Sequence, residues 1–508
     1  MNRYCLKTLF LLLKLTNCFR RKFPLMGQQS AEQNSLFYDF SLEQHIPENY
    51  LLRRIDSFLD FDQLRYHLFP YYSLNGRPSI DPELMIRMLL IGYCYGIRSE
   101  RRICEEVNYN LAYRWFCRLG LQGEIPSHST FSKNRLGRFR ESEVFRFVFN
   151  TVVSRCIDEG LVKGEGFAID ASFVRADVSR QRAEDGPVDW SPSPEQSRPV
   201  REYLEALDDV PSLRRPQKSV SLTDPMSQWS GAKGPAEFYY STNYLIDVEN
   251  GVIMDVEGSP STLALEVATT KTMIERVEDN HDIVPARLMG DTAYGSAENL
   301  GYLVTEKKIE PHIPVWDKSK RDDDTYSIKD FIYIDENDHY ICPEGKFVQC
   351  NRGNLEAPRV TKDNTIIYRG FVGDCKNCPS KERCCPNTTH RKIARNIHEE
   401  ARELARAIGK LPEYIESSKE RKKVEMSFAH MKRHREFDRL RLRGLKGAND
   451  EFLLMATAQN LRKMVNIKYK PPPDDRESAP EIQNCTDFDH PINLLTSIKR
   501  QVRKILKN

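Results

Sequence analysis

The 508-residue chain has no apolar run long enough to cross a bilayer as a helix. The best stretch, LKTLFLLLKL at 6–15, is too short and is broken by Lys14. Lys7 gives it the outline of a weak signal peptide, yet Arg20, Arg21 and Lys22 follow and no small-residue cleavage site does. Residues 1–36 are therefore expected to lie outside the fold, as a disordered extension or an over-long gene start with Met26 as the second start. No membrane partner is expected. A charge excess is also lacking: 76 Lys and Arg stand against 73 Asp and Glu, a net +3, so whole-chain charge selects no partner. No internal repeat is visible, which argues against a solenoid. The 13 cysteines are odd in number and have no secretory context, which argues against a disulfide framework and for a reducing cytoplasm.

With 40% hydrophobic residues, the chain can build a substantial core and two to four domains. Residues 37–160 read as helical. DPELMIRMLLIGYCYG starts with Asp81 as N-cap and Pro82 at the first helical position. SERRICEEVNYNLAYRWFCRLG continues an amphipathic pattern from Ser99, and PSHSTFSKNRLGRF follows Pro126 with Ser129 or Thr130 as cap. Short helices with tight breaks fit a helix-turn-helix-like DNA-binding unit, and fit a plain helical bundle equally well.

From 166 the period changes toward strands, in GFAIDASFV, FYYSTNYLIDV, GVIMDVEG and ARLMGD. The second and third flank Asn250-Gly251, a hairpin signal. The Pro- and Ser-rich tract 183–230 reads as a surface insertion or linker. A helix capped by Ser296 is expected after Asp291. Short strands return over 325–390, and helix resumes at about 390 and runs to about 466. Residues 467–508 read as a linker and a basic tail. The expected fold class is α/β, with 161–324 and 391–466 as two parts of one core around the 325–390 insertion.

Asp170 and Asp291 each stand where a buried apolar run gives way to small residues. Sites assemble at such strand ends in α/β sheets, although a single aspartate there is more often a turn residue. Glu425 is the third candidate. At ~100° per residue, Arg421, Glu425, Phe428 and Lys432 share one arc of a helix beside apolar Val424 and Met431. From Lys419 to Lys446 there are 11 Lys or Arg against 4 Asp or Glu, with His430 and His434 added. A solvated salt-bridging face is the plain reading of mixed charge, but this local excess suits phosphate contact. Three carboxylates beside a basic helix suit two divalent ions ~4 Å apart in phosphodiester displacement. Hard oxygen ligands favour Mg²⁺ or Mn²⁺.

The quoted motifs resemble those of the DDE transposases of bacterial insertion sequences. AIDASFVRAD matches the first acid and GDTAYGSAEN the second. Arg421, Glu425 and Lys432, followed by FDRLRLRG, match the spacing around the third. IDPELMIRMLLIGYCYGIRSERRICEEV, HSTFSKNR and TDPMSQWSGAKG also fit, so the likeness covers about residues 40–465. Ser418 departs from it, standing where related transposases often carry a Tyr. The resemblance implies a ribonuclease-H-like mixed sheet flanked by helices, with a helical N-terminal domain and a cysteine-bearing β-rich insertion. It implies that Asp170, Asp291 and Glu425 hold two Mg²⁺ or Mn²⁺ ions. Arg421, Lys432, Arg433, Arg441, Arg443 and Arg135 would contact DNA. The implied partner is double-stranded DNA, both the terminal inverted repeats and the target, bound by a homodimer. A catalytically inactive DNA-binding descendant and a nuclease that cuts without joining remain the rival readings.

ICPEGK and CKNCPSKERCC bring Cys342, Cys375, Cys378 and Cys384 or Cys385 into one strand-rich segment. A C-x-x-C pair with two more cysteines can complete a tetrahedral zinc site, and a set of reduced thiols without metal is the plain alternative.

Overall fold

The computed structural model describes residues 40–469 apart from 74, 76–78, 187, 189, 191–195, 210–216, 232–234, 317–323, 351–357 and 435–436, and gives only the backbone of 208–209 and 426–434. The expectations for 1–36 and for the tail from 470 lie outside the described residues.

The N-terminal region is helical as its sequence predicts. Asp81 accepts a hydrogen bond from Glu83 N at 2.9 Å, with Pro82 at the first turn of the Pro82–Tyr95 helix. Ser99 caps Glu100–Tyr109. The pattern from 99 to 120 is not one helix. Asn110 closes the first helix, and its Oδ1 accepts from Ala112 N and Tyr113 N to open Leu111–Phe116. The cap of His128–Leu136 is Ser127 rather than Ser129 or Thr130. The 82–95 helix is buried on nearly every side and forms the centre of this region. Arg135 is buried too, with 3% exposure. Its guanidinium donates to Glu100 Oε1 and to the Tyr93 hydroxyl, both at 3.0 Å. This corrects its assignment to DNA contact, because the side chain is consumed inside the protein.

A six-stranded mixed sheet follows. It contains β1 (Gly166–Arg175), β4 (Gln228–Ser230), β5 (Glu237–Asp247), β6 (Ile253–Pro260), β7 (Arg287–Met289) and β8 (Glu310–His312). The order is β4-β5-β1-β7-β8, with β6 also paired to β5. β1 is antiparallel to β5 and parallel to β7, which is parallel to β8. β5 and β6 form the expected hairpin, with Gly251 at φ +68° in the turn, a value that favours glycine. The 183–230 tract is more than a linker. It carries β2 (Ala183–Asp185), β3 (Ser219–Ser221) and the Arg198–Asp209 helix, and it buries Asp224 completely. Asp224 accepts from the Tyr240 hydroxyl at 2.5 Å and from Gly444 N at 2.9 Å, tying the insertion to β5 and to the C-terminal region.

A second sheet runs β13-β12-β11-β10-β9 through β9 (Ile332–Ile334), β10 (His339–Ile341), β11 (Phe347–Cys350), β12 (Thr365–Gly370) and β13 (Lys392–Asn396), all antiparallel. β13 lies where the sequence reads as helix, because its apolar residues alternate too briefly to be told from a helix start. The last helices are Glu399–Ile408, Pro412–His434 and Leu445–Lys468. One hydrophobic core joins the N-terminal helices, the six-stranded sheet and the C-terminal helix, while the second sheet has its own small core.

The 445–468 helix packs against β6 and against the 82–95 and 144–158 helices. Asn460 Nδ2 donates to Ile253 O at 2.8 Å and its Oδ1 accepts from Ile253 N at 2.9 Å. Asn449 Oδ1 accepts from Gly258 N at 2.6 Å. These amides occupy the outer backbone groups of β6 that would otherwise template pairing with another chain. Glu451, wholly buried on the same helix, pairs with Arg98 and accepts from Arg441 N and Leu442 N at 2.6 Å each.

Removing one partner of a buried pair costs about 3–5 kcal/mol because the other charge is left uncompensated. Glu451→Ala should therefore lower the thermal midpoint by several degrees, and an unchanged midpoint would show that the Glu451 contacts do not hold the helix in place. Burial pushes the Asp224 carboxyl up to about 6, above its usual value of about 3.9. The folded state then binds a proton more tightly than the unfolded chain, so the stability this group contributes falls as pH rises from about 4 to about 6. Asp224→Asn does not titrate. Its midpoint should gain on that of the wild type across this window, and a constant offset between the two would show that Asp224 is not shifted.

Candidate active site

β1 lies between β5 and β7, so both its edges are paired, and most of its side chains are buried. Asp170 sits in the middle of this strand, opposite Tyr244 of β5. The sequence reading that the strand stops at Asp170 is corrected here, since pairing continues through Arg175 and Tyr239. The alternation Phe167, Ile169, Ala171 and Phe173 sends one set of side chains to one face and leaves Asp170 and Ser172 on the other. Asp170 Oδ1 accepts from Ala171 N at 2.9 Å.

Asp291 follows the end of β7, the parallel neighbour of β1, after Gly290. Its Oδ1 accepts from Ala293 N at 2.8 Å and caps the turn 292–294. Gly295 closes this turn against the chain at 314–316. A Cβ there would stand 2.0 Å from Pro314 O, so no other residue fits without moving the loop that carries Asp291.

Glu425 comes from the Pro412–His434 helix, which packs on β1 and β7. Buried Val424 and the Arg287–Glu420 ion pair at 3.2 Å hold the helix there. Glu420, the neighbouring acid, is thus engaged by β7. Arg421 pairs with Glu425 at 2.8 Å one turn away. The Ser418 hydroxyl donates to Tyr414 O at 2.9 Å, and Tyr414 stacks on His312 with centroids 6.2 Å apart.

The electrostatics connect the three segments. Burial pushes the Asp170 carboxyl up to about 6, repulsion from Glu425 and Asp291 adds to the rise, and the Ala171 amide and Arg421 oppose it. Each carboxylate therefore makes ionisation of Asp170 harder, which a nearby cation would relieve. All three acids offer the hard oxygen donors that Mg²⁺ or Mn²⁺ prefers. Among the described residues, no group of three or more His, Cys, Asp and Glu side chains is already arranged to hold a metal ion. Glu425 is turned to Arg421, and Asp170 and Asp291 each bond a nearby backbone amide.

Tyr294, next to Asp291, was missed by the sequence reading. It is 3% exposed, its hydroxyl has no hydrogen-bond partner, and burial with the charges of Asp170, Glu266 and Asp291 holds it well above its usual value. Glu266, on the Leu263–His281 helix, accepts from Ser241 Oγ at 2.5 Å on β5. Neither residue stood out, because an isolated Tyr after a turn and a lone Glu in a helix carry no pattern.

The segment after the third acid returns to the same strand. Arg175 N donates to Asp438 O at 3.0 Å and Leu440 N to Arg175 O at 2.7 Å. Arg441 and Arg443 are exposed, and Arg443 pairs with Asp177 at 3.2 Å. Lys419, Lys422 and Lys423 are exposed on the helix. Lys432 and Arg433 fall where the side chains lie outside the described residues.

The chain matches two family models. Residues 40–136 match the Transposase domain (DUF772), and residues 341–465 match the Transposase DDE domain. The first match covers the N-terminal helices as far as 136 and the second contains Glu425 and the cysteine-bearing sheet from the end of β10, while Asp170 and Asp291 lie between the two. No curated protein matches the chain. Together, the two matched domains in this order support a DDE transposase of the insertion-sequence type.

Proposed function

We propose that the protein binds the terminal inverted repeats of its element as a homodimer, cleaves the DNA strands there and joins them to target DNA. The observation that carries this reading is that Asp291 and Glu425, acids from two other segments, both repel the carboxylate of half-buried Asp170. The strand order supports a ribonuclease-H-like core: β6, β5 and β1 form an antiparallel meander, and β7 and β8 run parallel to β1 beyond it. The protein works where its DNA is, in the cytoplasm.

Asp170, Asp291 and Glu425 would hold a pair of Mg²⁺ or Mn²⁺ ions. Such a pair, when bound, activates the attacking oxygen and stabilises the leaving one. The sheet keeps Asp170 in register with the Asp291 loop. Arg421 neutralises Glu425 until DNA arrives and then lies beside the scissile phosphate. Lys419, Lys422, Lys423, Arg441 and Arg443 bear on the phosphate backbone, which gives affinity without reading sequence. The exposed start of the 128–136 helix, with His128, Ser129, Thr130 and Lys133, is where the N-terminal region offers side chains to base edges. The rival readings, an inactive descendant or a nuclease without joining, differ in the products formed from labelled element ends.

Asp170→Asn, Asp291→Asn and Glu425→Gln keep shape and remove a charge. Each alone should lower cleavage of labelled end DNA by a factor on the order of 10³ or more, and combining them should add little. Metal-free binding to the same DNA should persist. Substantial Mg²⁺-dependent cleavage by any one variant would remove that acid from the site.

The Arg441→Ala, Arg443→Ala double variant should weaken binding to all DNA alike. The slope of log affinity against log salt should become shallower by roughly 2, one counterion for each lost phosphate contact. A changed sequence preference would instead give these arginines a role in base reading.

A further inference from the structure

Of the six cysteines in and around the second sheet, all but Cys350 line one cavity. Cys342 reaches it from the turn after β10, Cys375 and Cys378 from the loop after β12, and the adjacent Cys384 and Cys385 from the Lys381–Cys384 turn. The cavity holds about 30 Å³, room for one or two water-sized spheres. Its surroundings are built for sulfur. Cys342 opens a tight turn in which Gly345, at φ +72°, lets Lys346 N donate to Cys342 Sγ at 3.3 Å. Gly345 N donates to Cys342 O at 2.8 Å, closing the turn. At Gly370 a Cβ would come within 3.0 Å of Cys375 Sγ, so glycine keeps that sulfur's place open.

The charges around the cavity are mixed, with three cations against two acids, Glu344 and Asp374. Lys346, Lys381 and Arg391 line it, and Lys381 Nζ donates to Cys385 Sγ at 3.4 Å. Four thiolates around a divalent ion carry a net charge of −2, and the one positive charge by which the cations outnumber Glu344 and Asp374 offsets part of it. The sheet also needs a staple. Among the described residues its core buries only Phe331, Tyr340, Val348, Tyr368, Ile393 and the Cys384–Cys385 pair. A core this small contributes little stability, and small folds of this kind are commonly closed by a metal or by disulfides.

We propose that Cys342, Cys375, Cys378 and one sulfur of the Cys384–Cys385 pair bind a single structural zinc ion that holds the second sheet to its loops. Binding displaces a proton from each of the four thiols to solvent as the thiolates take the ion. The sulfurs are not yet gathered for this, since no described group of three or more such side chains is arranged to hold an ion. Rotation about each Cα–Cβ bond redirects a thiol without moving the backbone. Cys350 lies outside the cavity and donates to Asp338 Oδ2 at 3.5 Å, so it serves as the internal control.

The test uses the full chain purified under reducing conditions with zinc supplied and then dialysed against excess Mg²⁺, which clears weakly held ions from carboxylate sites. Elemental analysis should find one zinc per chain. Cys342→Ser, Cys375→Ser, Cys378→Ser and the Cys384→Ser, Cys385→Ser double variant should each lose it, while Cys350→Ser should keep it. Zinc well below one per chain in the wild type overturns the proposal, as does a full complement retained by the Cys375→Ser, Cys378→Ser double variant. Where variants do not fold, Co²⁺ added to the metal-stripped wild type decides. One equivalent should give the intense absorption of tetrahedral thiolate coordination, and the weak spectrum of six oxygen ligands would overturn it.

Discussion

Glu451 has no contact with water and four donors on its carboxylate: the Arg98 guanidinium, the Tyr93 hydroxyl and the backbone amides of Arg441 and Leu442. Arg98 lies between two of the N-terminal helices, while 441–442 come a few residues after the helix that carries the third acid. One side chain thus ties the region matched as a transposase domain to the chain that returns to β1. A buried carboxylate tolerates no partial version of this arrangement, because losing one partner leaves a charge without solvation. Tyr93, Arg135 and Glu100 extend the network on the N-terminal side. Its consequence is a fixed relation between the N-terminal helices and the sheet that carries Asp170.

The same helix solves a second problem. β6 is an outer strand, and its free amides and carbonyls would invite pairing with another molecule. Asn449 and Asn460 take up those groups, and Gly258 lets the helix approach, since a Cβ there would meet Asn449 Oδ1 at 2.7 Å. Arg146 and Arg276 converge on buried Asp255 from the 144–158 and 263–281 helices and lock the strand from both sides. With β6 held, β5 is held, and with it the register that places Tyr244 opposite Asp170.

Around Asp170 the structure accepts an electrostatic penalty. Three acids and the unpartnered hydroxyl of Tyr294 share a half-buried region, and each acid finds only a local amide or Arg421 to offset it. Strain of this kind is tolerated at functional sites because the surrounding packing over-determines it. The second sheet stands apart from this region, with its own core and its own cluster of thiols.

By itself the sequence determined the helical N-terminus with its Asp81 and Ser99 caps, the Asn250-Gly251 hairpin, and the three acids as candidates. Each of these is a local pattern, set by capping, by turn chemistry, or by a carboxylate breaking an apolar run. Tertiary structure decided what depends on partners distant in the chain. Arg135 reads as a surface cation until Glu100 and Tyr93 close over it. The Pro- and Ser-rich tract reads as a linker until Tyr240 and Gly444 bury Asp224. β1 reads as ending at Asp170 because a carboxylate is unexpected within a covered strand, and only pairing with β5 carries it on to Arg175. Tyr294 and Glu266 have no pattern at all and become visible when the 263–281 helix meets the Asp291 loop. The reason is common to all of them: burial and charge compensation are properties of the assembled interior, and no window of the sequence contains both partners.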